Sequence, residues 1–363
     1  MTSDGTTKPL VVYFGTANRG KGIHVFELNQ QTGALTERGS TDIKGRGWLA
    51  LDPTERYLYA ATDPDRIDAF AIDGQTGLLT ALNSSQTGTA SVSHLSVDPT
   101  GRYVVGASYS GGAVCVISVN DDGSLGGPTH VMPHVPGPGD IPGPHPDQTQ
   151  AKAHQCPFEP SGRWVVVNDL GLDRVYAYRL DTATGKLVPN APGFIQFDRG
   201  RGPRHIAFHP GNRFAYVINE LSSEVTALRW DPAYGTFSEI QNVSSLSAGW
   251  TGRKWSAQIV VHPSGRFVYA SNRGSGGPSD EIAMFAIDQE SGEIAGIGHA
   301  QTQGQVARNF NIDPSGRWLV AVNQDGDNAV VFAVDAQTGA LTQTGEPVSV
   351  VNAVCTQFAP SVG

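Results

Sequence analysis

An all-β, seven-bladed β-propeller of four-stranded antiparallel blades is the fold that this 363-residue sequence predicts. Three observations carry the prediction. Two short patterns recur along the chain, their copies are spaced by the length of one blade, and the two chain ends complement each other. The composition agrees, since 44 glycines and 23 prolines separate short apolar runs and leave room for many turns and few helices.

The first pattern reads apolar-x-[DEH]-P-[ST]-G-R-aromatic-apolar-x-apolar. Its copies are ALDPTERYLYAA, SVDPTGRYVVGA, PFEPSGRWVVVN, AFHPGNRFAYVI, VVHPSGRFVYAS and NIDPSGRWLVAV, turning at Pro53, Pro99, Pro160, Pro210, Pro263 and Pro314. Each is a hairpin signal, with alternating runs on both sides of a turn in which proline presets φ. The second pattern, apolar-D-x-x-[TS]-G-x-L, follows the first and turns at Gly33, Gly77, Gly123, Gly185, Gly235, Gly292 and Gly339. Successive glycines are 44 residues apart at the shortest (33 to 77) and 62 at the longest (123 to 185). Two hairpins, hence four strands, repeating at roughly 40–50 residues make a propeller blade. The longest interval holds a Pro-, Gly- and His-rich insertion, residues 126–153, expected to rim the mouth of the central channel.

The ends close the ring. PLVVYFGTA at the start resembles the second strand of a first hairpin with no first strand before it. VCTQFAP, reaching Pro360, is a first strand with none after it. Pairing them completes one blade and removes two exposed edges. One domain spanning 1–363, without a linker, is therefore expected.

Registering the blades on their turn prolines gathers candidate functional residues at one mouth of the channel. Six positions before the proline stand Gly47, Ser93, His154, Arg204, Ala257, Arg308 and Val354. Five before stand Trp48, His94, Gln155, His205, Gln258, Asn309 and Cys355. Ten after stand Asp63, Tyr109, Leu170, Glu220, Arg273 and Gln324, with Asp169 one place earlier in its blade. The ionisable members His154, Arg204, Glu220, Arg273 and Arg308 fall on consecutive blades, while the others offer Gly, Ser, Ala or Val. Three arginines against one glutamate make a local positive site suited to carboxylate or phosphate oxygens. Taken alone, the Arg204–Glu220 pair has an equal reading as a structural ion pair.

The net charge of −9 argues against a broad nucleic-acid surface. The opening MTSDGTTKPL lacks the apolar core of a signal peptide, and no apolar run approaches a membrane span. Cytoplasmic localisation, no membrane partner and a monomer are the expectations. Cys115, Cys156 and Cys355 lie far apart in apolar runs, so no disulfide framework is indicated. His130, His134 and His145 match no zinc spacing. His209 and His262 fill the turn slot that Asp or Glu fills elsewhere, which suggests turn capping. Arg163, Arg213, Arg266 and Arg317 follow the turn at the far end and read as structural.

The runs HQCPFEPSGRWVVVNDLGLDRVYAY, GPRHIAFHPGNRFAYVINELSSEVTAL, HPSGRFVYASNRG and ARNFNIDPSGRWLVAVNQDGDNAVVF resemble the seven-bladed lactonase family. That family includes bacterial propeller-type 6-phosphogluconolactonases and fungal carboxymuconate cyclases. The resemblance covers nearly the whole chain. It implies an active site of His154, Arg204, Glu220 and Arg273. The register at the mouth, apart from the resemblance, adds Arg308, His205, Gln155, Asp169, Gln258 and Gln324 as candidates around the substrate, with His205 and His94 also read as core or channel histidines. This chain departs from the family at GRGW and ATDPD in the second unit, at Gln258 where an acidic residue is common, at Ala307 and in the insertion. These departures bear on substrate choice.

Opening a sugar lactone requires water at an ester carbonyl, stabilisation of the tetrahedral oxyanion and a proton for the leaving alkoxide. His154 or Glu220 can serve as general base, Arg204 at the oxyanion, and Arg273 and Arg308 on an anionic group. The scheme calls for no metal and no cofactor. The resemblance thus implies hydrolysis of a small anionic or sugar lactone, with 6-phosphogluconolactone the first candidate. The same groups suit a cycloisomerase or a hydrolase of another lactone. A non-catalytic propeller is the alternative from a different class.

Overall fold

The computed structural model describes residues 10–41, 47–62 and 64–360, and among them there is no helix. Seven four-stranded antiparallel sheets form a closed ring. Blade 1 is built from the innermost strand Ala353–Pro360 and the three strands Leu10–Thr16, Ile23–Leu28 and Leu35–Thr41, so the two chain ends share one sheet. Leu10 pairs with Leu28 on one side and with Pro360 on the other. Blades 2 to 7 follow in chain order. Their innermost strands are Leu49–Leu51, Val92–Val97, Ala153–Gln155, Pro203–Phe208, Ser256–Val261 and Ala307–Ile312. Each innermost strand packs against those of both neighbouring blades, which closes the channel wall.

The two sequence patterns repeat because each blade is locked to the next through them. At the Pro turn, Asp52, Asp98, Glu159 and Asp313 accept the backbone N–H groups of their own turn. His209 and His262 do the same through Nδ1, accepting from Gly211 at 2.9 Å and Ser264 at 3.1 Å. Their Nε2 then donates to the Gly265 and Gly316 carbonyls of the following blade. The capping expected for these histidines is what the structure contains, with an added inter-blade clasp. The arginines after the turn reach forward too. Arg163, Arg213 and Arg266 donate to the carbonyls of Pro232, Gln289 and Ala336.

The aromatic positions after each turn reach into the glycine turn of the next blade. Tyr13, Tyr59, Tyr216 and Tyr269 donate their hydroxyls to Gly77, Gly123, Gly292 and Gly339. Trp164 and Trp318 use their indole N–H in the same place. Gly123 shows why the glycine is required: its φ is +80°, and a Cβ would lie 2.2 Å from the Tyr57 ring. Gly123→Ala should therefore destabilise the protein by about 2–4 kcal/mol through overpacking and left-handed strain. Gly127→Ala in the same blade has open space at the Cβ and serves as the control. Denaturant unfolding of the pair checks this, and equal stabilities would refute it.

Between blades lie apolar layers, such as Val105, Val114, Val116, Val165 and Val167 between blades 3 and 4. Cys115, Cys156 and Cys355 are buried free thiols within or beside such layers. Their pKa values are raised by burial, to about 12 for Cys115 and Cys355. They act as small apolar side chains rather than nucleophiles.

Candidate functional site

The innermost strands carry one irregularity that builds the site. In six blades the pairing with the second strand shifts register at or beside the position six before the proline. The shifts span Ser93, His154, Arg204, Ala257, Arg308 and Val354. A β-bulge sets two residues opposite one and re-aims a side chain that plain alternation would send elsewhere. Five of these residues, Ser93, His154, Arg204, Arg308 and Val354, line one cavity on the channel axis together with Asn18, Trp48 and Gln324. The cavity holds about 180 Å³.

The residues five before the proline do something different: they stitch blade to blade. Four of the seven turn a side-chain acceptor to the backbone N–H that follows the same position in the next blade. His94 Nδ1 accepts from Cys156, Gln155 Oε1 from Ile206, Asn309 Oδ1 from Thr356 and Cys355 Sγ from Leu49. Gln155, expected at the substrate, is thus committed to the wall. Asp169 is also placed away from the cavity. Its Oδ1 accepts the N–H groups of Lys152 and Leu172, and its Oδ2 meets His134 Nδ1 at 2.6 Å, both side chains being fully enclosed. Asp169 occupies the slot that Asn219, Asn272 and Asn323 use to cap loops in later blades. Counting from the proline placed it at the mouth but could not tell a capping carboxylate from one that faces a ligand.

Arg204 and Glu220 are neighbours at the centre of a buried charge cluster. Arg204 Nε donates to Glu220 Oε2 at 2.7 Å, and Arg273 Nη2 lies 3.2 Å from the same oxygen. Trp255 Nε1 donates to Glu220 Oε1 at 2.8 Å. Arg273 is enclosed: it stacks on the Trp255 ring at 3.9 Å and donates to the carbonyls of Trp255 and Ser256. Burial raises the carboxyl pKa of Glu220, but Arg273, Arg204 and Arg308 and the indole N–H outweigh it and hold the group below the usual range. With both oxygens occupied and the charge locked, Glu220 is a weak proton acceptor whose part is to hold two guanidinium groups.

Arg204 is held by three residues. Its Nη1 donates to the Ala257 carbonyl at 2.6 Å and lies 3.2 Å from His205 Nε2. Gln258 fixes that histidine. Its Nε2 donates to the Phe310 carbonyl, which turns Oε1 toward His205 Nδ1 at 2.5 Å. Nδ1 must then carry the proton, leaving Nε2 as an acceptor for Arg204. His205 and Gln258, both named from sequence, act from behind the arginine rather than in the cavity. Burial lowers the pKa of Arg204 to about 10, against the pull of Glu220, so it stays a cation at neutral pH.

The remaining lining groups are less enclosed. Arg308 Nη1 donates to Gln324 Oε1 at 3.2 Å, which joins two predicted residues on blade 7. His154 is kept neutral by burial and by the charges of Arg204, Arg308 and Arg273 nearby, well below the ordinary histidine range. Its ring meets Tyr109 and His205 edge to face at 5.4 and 5.1 Å between centroids. Trp48, placed by sequence beside the mouth, walls the cavity and packs on His94 at 4.5 Å. Asn18 was missed, since the loop after the first strand carries no motif, and Asp63 lies outside the described residues. The structure thus brings His154, Arg204, Arg308 and Gln324 to one cavity and sets Glu220 and Arg273 behind it.

The segment expected as an insertion, 126–153, is in part regular structure, since Leu125–Pro133 is the outermost strand of blade 3, and the residues after it are tied to blade 4. Gln148, fully buried, donates to the Leu170 carbonyl and to Asp173, while Asp140 pairs with Arg174 at 2.8 Å. Asp173 also accepts the N–H groups of Gly200 and Gly202, so it joins the insertion to the turn that delivers Arg204. Among the described residues, no three His, Cys, Asp or Glu side chains converge as a metal site. No helix there is long and apolar enough to cross a membrane.

Comparison with known proteins agrees with this architecture. The family model "Lactonase, 7-bladed beta-propeller" matches residues 11–358. A 6-phosphogluconolactonase of Bacillus subtilis is 38% identical over 352 residues, covering 95% of this chain and 97% of the relative. One from Pectobacterium carotovorum is 34% identical over 321 residues, covering 88% and 90%. The solved structure of a periplasmic gluconolactonase of Pseudomonas aeruginosa superposes with a TM-score of 0.89 at 27% identity, over 97% of this chain and 99% of that one. The chain belongs to the seven-bladed β-propeller lactonase family.

Proposed function

We propose that the protein hydrolyses a phosphorylated sugar lactone, 6-phosphogluconolactone, to the open acid at the cavity on the channel axis. The observation that carries this reading is the pairing of two cationic lining residues, Arg204 and Arg308, with a neutral His154 in one small cavity of an acidic protein. Similarity to two 6-phosphogluconolactonases along most of the chain supports the substrate class.

In this scheme the lactone carbonyl faces Arg204. Its guanidinium is fixed by Glu220, His205 and Ala257 before substrate arrives, so little reorganisation is needed as the oxyanion develops. Water attacks the carbonyl carbon, the ring C–O bond breaks, the alkoxide takes a proton, and the acid formed releases one to solvent. Arg308, steadied by Gln324, takes the phosphate at the other side of the cavity. Trp48 offers an apolar wall to the sugar ring. Glu220 and Arg273 keep Arg204 aligned without touching substrate.

The Arg308 assignment gives a direct test. Arg308→Ala should raise KM for 6-phosphogluconolactone about 10–100-fold, the value of losing hydrogen bonds to a charged group. KM for unphosphorylated gluconolactone should change little. Steady-state kinetics on both lactones decide it. An equal rise on both would refute the phosphate role, and faster turnover of the unphosphorylated lactone by the parent enzyme would move the substrate to that compound.

A further inference from the structure

His154 lines the cavity, yet its Nδ1 is buried and meets no partner among the described residues. The known neighbours of its ring are the rings of Tyr109 and His205, which offer Nδ1 no oxygen acceptor. Ser93 Oγ donates to the His154 carbonyl at 2.9 Å and holds the bulged backbone in place. Nε2 is therefore the nitrogen left to face the cavity.

The two neutral tautomers are unequal in such a place. A proton on Nδ1 would be a buried donor with no acceptor, which folded proteins avoid more strictly than an unfilled acceptor. A proton on Nε2 leaves only a lone pair unfilled at Nδ1 and turns an N–H toward the ligand. The imidazolium form is opposed by enclosure and by the neighbouring Arg204 and Arg308.

We propose that His154 is a neutral hydrogen-bond donor, its Nε2–H directed with Arg204 at the lactone carbonyl oxygen, and not the general base of the reaction. The donor role rests on the lactone-hydrolysis reading, whereas the position of the proton rests on the surroundings of the ring alone. His154 keeps its proton throughout. The attacking water bonds to the carbonyl carbon and passes its proton to a second water, the ring C–O bond breaks, and the alkoxide is protonated by solvent. The reaction is thereby accelerated by holding the oxyanion between two donors, one charged and one neutral.

Two measurements on the intact protein test this. The first is two-bond ¹H–¹⁵N correlation NMR on protein labelled with ¹⁵N-histidine, with His154 assigned by its loss in His154→Gln. At neutral pH the pattern of a ring protonated at Nε2 is expected, and a ring protonated at Nδ1 or at both nitrogens overturns the proposal. The second is turnover of 6-phosphogluconolactone by variants. His154→Ala should lose about 100-fold in kcat, the value of one oxyanion donor. His154→Gln, whose carboxamide retains an N–H donor, should stay within about tenfold of the parent. Equal losses in the two variants would overturn the donor role. If the parent turns over no sugar lactone, the hydrolysis reading and with it the donor role fall, while the NMR result still decides where the proton sits.

Discussion

Arg204→Ala is expected to lower kcat/KM for the lactone by about 10³-fold while the propeller stays folded. The magnitude follows from losing a charged, preorganised donor at the developing oxyanion, an interaction stronger in the transition state than in the ground state. The fold should survive because Glu220 keeps Arg273 and the Trp255 N–H as partners, so removing Arg204 does not strand the carboxylate. Arg204→Lys should be almost as damaging. One ammonium cannot serve Glu220, the Ala257 carbonyl and His205 from a single point, whereas the planar guanidinium meets them through Nε and Nη1. Circular dichroism and steady-state kinetics on both variants check the two halves of this expectation. A loss below tenfold in Arg204→Ala would remove the arginine from the chemistry.

The second large effect concerns acid. His94, His154 and His205 are buried together around the channel axis and all three are held neutral. Burial lowers His94 to about 3, and burial with the Arg204 charge pushes His154 and His205 well below 6.5. In the unfolded chain each would take up its proton near pH 6.5. Below that pH the unfolded state binds more protons than the folded state, so stability is fully present above pH 6.5 and falls as the pH drops toward the folded values. Each site contributes up to about 1.4 kcal/mol per pH unit, and three approach about 4 kcal/mol per unit. Against a total stability of about 5–15 kcal/mol, unfolding is expected within roughly one to four units below 6.5. Glu220, held below its ordinary range, adds a further loss only below about pH 4.5.

His94→Gln should reduce this slope by close to one proton. The substitution copies the arrangement one blade on, where Gln155 accepts the corresponding backbone N–H, so the structural bond is retained and only the titration is removed. Chemical denaturation at a series of pH values between 4.5 and 7.5 measures the slope directly. An unchanged slope in His94→Gln would mean that this ring is not the buried neutral group described here.

The fold was legible because its punctuation is chemical. A Pro turn recurs in six blades and a Gly turn in all seven, and the aromatics that accompany them grip the glycine turn of the next blade. The broken repeat at the two ends announced the shared blade. The ionisable part of the cavity was also legible, since His154, Arg204 and Arg308 break a register that other blades fill with Gly, Ser, Ala or Val. The bulges were not legible. They follow from how two strands pair, and nothing in PRHIAF or AHQCPF marks an extra residue. Without them, positions six and five before the proline appear as equal candidates. In the structure Arg204 and His154 turn to the cavity, while Gln155 and Gln258 are spent on the wall. Asp169 was misleading for a related reason: it shares a register position with the capping asparagines, and a carboxylate there caps as well as an amide does. Trp48 and Asn18 belong to the cavity through the closure of the ring, which brings blades 1 and 2 opposite Arg204 from distant parts of the chain.

The most direct measurement of the central claim is proton release in a pH-stat on freshly generated 6-phosphogluconolactone, with enzyme-free buffer and Arg204→Ala as references. A rate that scales with protein concentration and returns to the spontaneous rate in the variant is the predicted result. Release no faster than the enzyme-free control, or equal in parent and variant, would contradict hydrolysis of this lactone at the cavity on the channel axis.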